Sequence, residues 1–117
     1  MAVSYEDISE DLRRVFLSGR LDILGTEEIA AQFTEFAATS KRRVIVDFTA
    51  VTFLASIGIR ALISNAKALH KLGGRMAVVV GDNHSVYKTL DAVGIDALLQ
   101  TFTDFQEAEK ALCGQPT

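Results

Sequence analysis

One stretch constrains this chain more than any other. It runs Val44-Ile45-Val46-Asp47-Phe48, continues through Thr49-Ala50-Val51-Thr52-Phe53-Leu54, and ends Ala55-Ser56-Ile57-Gly58-Ile59-Arg60. The β-branched apolar run has the composition of a buried strand, and after Ser56 the apolar positions recur every three or four residues, as in an amphipathic helix. Strand, short turn and helix in succession open a β-α-β unit, which directs the chain toward a parallel sheet. The same stretch brings one hydroxyl, that of Ser56, to a helix start. There the first backbone N–H groups lack intrahelical partners and the positive end of the macrodipole favours an anion. A phosphoryl group on Ser56 would suit that position.

Elements of the same kind fill the rest of the chain. Met1 to Ile8 and Leu12 to Ser18 are expected as two strands joined by the polar turn Ser9-Glu10-Asp11, a hairpin, with Gly19-Arg20-Leu21-Asp22 closing the second. Thr26 is placed to cap a helix with Glu27 and Glu28 in its first turn and Ile29, Ala30, Phe33 and Ala37 on one face, fraying by Thr39-Ser40. Arg43 to Phe48 is the central strand, and Thr49 and Thr52 read as turn residues before the next helix. That helix directs Ile59, Leu62, Ile63, Ala66 and Leu69 inward, and Arg60, Ser64, Lys67 and Lys71 outward. Gly73-Gly74 ends it, and Met76 to Val80 follows as a strand apolar enough to be buried on both faces. Asp82 is the expected cap of a helix carrying Val86, Leu90 and Val93 and stopped by Gly94, and Ala97 to Thr101 is a short last strand. Thr103 and Gln106 have capping-box spacing for a final helix with Phe105, Ala108 and Leu112 inward.

The order is β-β-α-β-α-β-α-β-α. The fold class is therefore α/β: one domain with a small mixed, mostly parallel sheet, an N-terminal hairpin and about four helices. Residues 1–113 form that domain, and Gly114 to Thr117 are expected as a flexible tail. A chain of 117 residues, 49% hydrophobic, buries a core without staples. A net charge of −3, with Lys41-Arg42-Arg43 the one basic run, argues against a nucleic-acid-binding stripe. That run is read as a solvated lead-in to a strand rather than a phosphate clamp. The single cysteine, Cys113, cannot close an internal disulfide. No apolar run reaches membrane-spanning length and the N-terminus carries acids, so a cytoplasmic domain without membrane insertion is expected.

Taken together, these residues resemble the STAS family, above all the bacterial anti-sigma-factor antagonists. That family presents a strand, an apolar pair, then Asp-Ser-(Ser/Thr)-Gly-Leu at a helix start, with the serine after the Asp as phosphorylation site. Ser56 and Gly58 match this pattern, while Ala55 stands at the Asp position and Ile57 at that of the second hydroxyl residue. Gly19-Arg20-Leu21-Asp22, Val46-Asp47-Phe48, Gly73-Gly74 and Val93-Gly94-Ile95 also fall where the family has them, so the resemblance spans the chain. It implies the STAS fold and an interaction switch. An anti-sigma factor that is also a serine protein kinase would dock around Asp22, Ala55, Ser56, Ile57, Gly58 and Arg60. Phosphorylation at Ser56 would end the contact and a phosphatase would reset it. No cofactor and no nucleic-acid partner are implied, and a weak homodimer is left open.

Each candidate residue also has a plainer reading. Ser56 would serve as an N-cap for the backbone N–H of Gly58 or Ile59. Gly58 would allow a tight fit of the helix start against the sheet, Asp22 would bond local backbone in a turn, and Asp47 would bond into the turn that follows it. Ala55 removes a carboxylate that would orient the serine hydroxyl, and also a charge that would repel an incoming phosphate. It favours the alternative of a STAS scaffold, or a subunit of a signalling complex or transporter, that is not phosphorylated. Enzyme signatures are missing. Gly73-Gly74-Arg75 lacks the Lys-Ser/Thr of a phosphate-binding loop, and Leu54-Ala55-Ser56-Ile57-Gly58 lacks the leading Gly of a nucleophile elbow. His70 and His84 lie on different helices without a metal-ligand cluster, and both are expected on solvated flanks.

Overall fold

The computed structural model describes residues 2–39 and 42–113, so the expected tail, 114–117, lies outside the described residues. In chain order the elements are β1 (Ala2–Asp7), β2 (Leu12–Leu21), α1 (Ile23–Ala38), β3 (Arg43–Leu54), α2 (Ser56–Lys71), β4 (Arg75–Val79), α3 (His84–Ala92), a 3-10 turn (Ile95–Ala97), β5 (Gln100–Phe102) and α4 (Phe105–Cys113). The strands form one sheet in the order β1-β2-β3-β4-β5. β1 pairs antiparallel with β2, and every later pairing is parallel. This is the expected α/β architecture, with the hairpin at one edge.

The pleat of β3 and β4 divides the core in two. Val44, Val46 and Phe48 join Val78 on one face, while Ile45 joins Ala77 and Val79 on the other. The first face is covered by Ile29 and Phe33 of α1, Ile59, Leu62 and Leu69 of α2, and Val86 and Leu90 of α3. The second is covered by Ala108 and Leu112 of α4. A strand buried on both sides has no room for alternating polar residues, which is why β4 is a continuous apolar run. The exception on β3 is Asp47, 2% exposed. Its carboxylate accepts from Arg14 Nη2 at 2.7 Å and from the Thr49 N–H and hydroxyl at 2.8 and 2.6 Å. It thus bonds two residues ahead, though within the longer strand rather than into the turn the sequence suggested, and also neutralises Arg14 of the neighbouring strand.

Several helix starts differ from the sequence reading. α1 begins three residues before Thr26: the Asp22 side chain accepts from the Gly25 N–H at 2.8 Å, and the Thr26 N–H is already bonded to the Asp22 carbonyl. Thr26 is buried, and Glu27 and Glu28 fall beyond the first turn. At α3 the cap is Asn83 rather than Asp82. An amide both accepts and donates, so Asn83 takes the Val86 N–H and gives its own hydrogens to the Phe48 and Val51 carbonyls at 3.0 and 2.6 Å. A carboxylate would do only the first. At α4 the Asp104 side chain accepts from the Glu107 N–H at 2.9 Å, in place of the Thr103–Gln106 box. The segment expected as one strand over Ala97 to Thr101 is split between the 3-10 turn and β5, and Val93 is exposed.

Candidate functional site

Two parallel strand ends build the site. β3 does not stop at Phe48 but runs to Leu54, because β2 runs on to Leu21 beside it. Register shifts between Phe16 and Ser18 and between Gly19 and Arg20 keep the two strands paired, so Thr49 and Thr52 are strand residues and not a turn. At the end of the ladder Leu21 lies opposite Leu54, and the Ala55 N–H donates to the Leu21 carbonyl at 3.0 Å. Here the chain leaves the sheet twice, once into α1 through Asp22 and once into α2 through Ala55. The two helices therefore start from neighbouring strands and pack against each other.

Gly58 sets how close α2 comes. A Cβ on it would lie 2.8 Å from Leu54 Cδ1, 3.2 Å from Leu21 Cβ and 3.3 Å from the Leu21 carbonyl oxygen. The helix start is thus seated directly on the end of β2, and Gly58 is buried beneath the site rather than presented on it.

Ser56 is the first residue of α2 and not its cap. The N-cap position belongs to Ala55, in extended conformation, and no side chain caps the helix. The N–H groups of Gly58 and Ile59, expected to bond Ser56, go instead to the Ala55 carbonyl at 2.9 and 3.1 Å. This leaves the exposed Ser56 with no capping duty. With alanine at the cap and no acid in the first turn, the positive end of the helix has no carboxylate of its own. Arg60, four residues on and exposed, shares the helix surface with Ser56, and Ile57 is half-buried.

The adjacent helix start is finished differently. Asp22 caps α1, and the Gly25 N–H, followed by Arg20, holds its carboxyl below the usual carboxylate range. Arg20 Nε is 3.3 Å from Asp22 Oδ2, and its guanidinium lies over the Phe53 ring at 4.5 Å. Phe53 itself, 40% exposed, and Ile23 and Leu24, which follow Asp22 in the chain and are 63% and 73% exposed, are apolar side chains that the sequence reading missed. For two of them a signal exists, because Ile23 and Leu24 are out of phase with the buried stripe Ile29-Phe33-Ala37 of their own helix. The paired strand ends thus bring Asp22, Ser56 and Arg60 to one end of the molecule, together with Arg20 and the exposed Ile23, Leu24 and Phe53. His70 and His84 are both exposed, on different helices.

The STAS domain family model matches residues 6–108. No curated protein matches the sequence. Among solved structures, an anti-sigma factor antagonist from Mycobacterium paratuberculosis superposes with a TM-score of 0.85 at 22% identity, over 97% of this chain and 94% of that one. The anti-sigma factor antagonist SpoIIAA in its unphosphorylated form gives 0.76 at 20% identity, over 99% and 100% of the two chains. The murine anion transporter Slc26a9 contains a similar region, with a TM-score of 0.68 at 14% identity over 92% of this chain but 21% of the transporter. At such identities these likenesses concern the fold. No helix among the described residues is long and apolar enough to cross a membrane. The family model covers nearly the whole chain, and the five-stranded sheet with its four helices agrees with it: the chain belongs to the STAS domain family.

Proposed function

We propose that this domain is an anti-sigma-factor antagonist, switched off by phosphorylation of Ser56. Its partner is an anti-sigma factor that is also a serine protein kinase. It docks on the end of the molecule formed by Asp22, Ala55, Ser56, Ile57 and Arg60, with Gly58 setting the position of the helix start beneath. The observation that carries this reading is the exposed Ser56 hydroxyl, free of any cap role, at the paired ends of β2 and β3, where Ile23, Leu24 and Phe53 are also exposed. Exposed apolar side chains rimmed by charge are the composition of a protein-binding surface. The solved anti-sigma factor antagonists of the same fold lend further support.

A phosphate on Ser56 adds a charge of about −1.5 to −2. At an uncapped helix start the folded domain tolerates it. In a closed contact the same charge meets desolvation and ends the complex. The phosphoryl transfer belongs to the kinase, and this chain supplies one hydroxyl and a shaped surface; a phosphatase resets the switch. A bacterial, cytoplasmic setting goes with this reading.

A second reading, a STAS scaffold or transporter-associated module without phosphorylation, is favoured by Ala55 and by the likeness to the Slc26a9 region. Affinity capture from a lysate of the source organism separates the two, with the natural protein, Ser56→Ala and Ser56→Asp as baits and mass spectrometry for partners and phosphate. The switch predicts a kinase-type partner held by Ser56→Ala and lost by Ser56→Asp. Identical partners on all three baits, with no phosphate on the natural protein, would establish the scaffold instead.

A further inference from the structure

At the opposite end of α2 the sheet and helices leave a cleft of about 470 Å³. Its origin is a mismatch of lengths. α2 has 16 residues and α3 has 9, so at 1.5 Å per residue they run about 24 Å and about 14 Å. α1 covers one flank of α2, while α3 packs on β3 and the 3-10 turn. The second half of the other flank of α2 therefore faces the segment Ala97–Gln100 across a gap. Ile63 and Ala66 are only half-buried there, and Leu98 is 54% exposed.

The walls have a consistent chemistry. The apolar side is aliphatic, formed by Ile63, Met76, Leu98 and Leu99, with no Phe, Tyr or Trp among the lining residues. The polar side carries Lys67, His70, Lys71 and Arg75, all exposed, and among the described residues no carboxylate lines the cleft. Asp96 neighbours the lining residue Ala97 but does not itself line the cleft. Lys71 belongs to the last turn of α2, where a cation offsets the helix dipole. Lys67 lies one turn earlier and Arg75 on β4, so the dipole does not account for them. In a chain of net charge −3, a cluster of cations over an aliphatic floor runs against the overall balance.

We infer that this cleft binds a small amphipathic anion, an aliphatic chain ending in a carboxylate. The volume lies within the range of small-molecule sites. The aliphatic lining offers burial to methylenes, and the cations match a carboxylate at the rim. A nucleotide is disfavoured, because apart from the His70 imidazole no ring is available to stack a base. The inference does not depend on the role of Ser56, which lies at the other end of α2.

The test is a two-dimensional amide NMR titration of the full chain with decanoate, octanoate, decanol and ATP. Decanoate is expected to give saturable shifts at Lys67, Arg75 and Leu98, without shifts at Ser56. Each methylene buried is worth about fourfold in affinity, so octanoate should bind roughly 15-fold more weakly. The double variant Lys67→Glu/Arg75→Glu alters two exposed side chains and should keep the native spectrum. It should weaken decanoate by roughly tenfold and leave decanol unchanged. Leu98→Ser should weaken both ligands. Shifts scattered over the surface, equal affinity for the two chain lengths, no effect of the charge reversal, or ATP saturating the cleft where decanoate does not, would each overturn the inference.

Discussion

At its C-terminal end α2 is closed by backbone alone. The Gly73 N–H donates to the His70 carbonyl at 3.0 Å and the Gly74 N–H to the Leu69 carbonyl at 2.9 Å, the two bonds of a Schellman motif. Gly73 has φ +85°, the left-handed conformation this closure demands. At its N-terminal end the same helix begins on Ala55, with no side-chain cap and no acid in the first turn. Sixteen residues thus separate a finished terminus from an unfinished one. The difference teaches where fold and function place their demands. The closed end must return the chain into β4 within a few residues, and it cannot vary. At the open end the Ala55 N–H anchors to β2 and Gly58 packs on Leu21, so the position is held by groups beneath the surface. The surface residues are then free to serve a ligand or partner.

Filling the closed end should break the contrast most severely. A Cβ on Gly74 would sit 2.4 Å from the Arg42 carbonyl oxygen and 2.6 Å from Leu69 Cδ1. That oxygen also accepts the Arg75 N–H at 2.7 Å, so it cannot retreat without disturbing the entry to β4. Gly74→Ala is expected to cost about 3 kcal/mol by overpacking, a fall of roughly 10 °C in thermal midpoint, measured by calorimetry. A loss below about 0.5 kcal/mol would show that the closed end is as adaptable as the open one.

The closed end was also the legible one. Gly73-Gly74 between an amphipathic run and an apolar run states both the stop and the next strand, because a left-handed residue and a close approach leave few alternatives to glycine. The faces of α2 and the double burial of β4 follow from periodicity, which is local. The helix starts were harder. Several Asp, Asn or Thr residues stand near each one, and the chain's departure from the sheet selects among them. Asp22 wins over Thr26 because β2 ends at Leu21, and Asn83 over Asp82 because two β3 carbonyls need a donor. Those facts are long-range. So is the extension of β3 to Leu54, which depends on irregular pairing with β2. Of the candidate site, Asp22, Ser56 and Arg60 could be read from motif and spacing. Arg20 and Phe53 could not, and the phase that exposes Ile23 and Leu24 is legible only once α1 is started at Ile23, since starting it at Thr26 consigns them to a loop.

Restoring a carboxylate at the open end should sharpen the contrast in the other direction. Ala55 already has the extended backbone of a cap residue, φ −94° and ψ 170°, so Ala55→Asp asks for no rearrangement. It is expected to stabilise the domain by about 1 kcal/mol, seen as a higher urea midpoint at unchanged slope. The gain should be acid-sensitive in the manner of Asp22. A carboxyl held below its unfolded pKa contributes fully above that unfolded value, and its contribution is lost as pH falls through the lower folded one. If Ala55→Asp gains nothing at neutral pH, the N–H groups of α2 that precede those of Gly58 and Ile59, which the Ala55 carbonyl already holds, are satisfied too, and the open end is not open.

The smallest effect tests the link between that openness and the switch. Ser56→Asp places one negative charge in the first turn, where the helix dipole favours it by about 0.3–1 kcal/mol. The increment should shrink as salt rises, since exposed charges are screened over roughly 8 Å at physiological ionic strength. Ser56→Lys should lose a similar amount by the same rule. The opposite signs matter more than the sizes, because they separate a fold effect from a binding effect. A Ser56→Asp protein that is as stable as the natural one, or slightly more so, yet releases its partner, has lost the contact through charge at the interface alone. Unfolding of Ser56→Asp at the natural protein's working temperature would remove that distinction and contradict an anion-tolerant helix start.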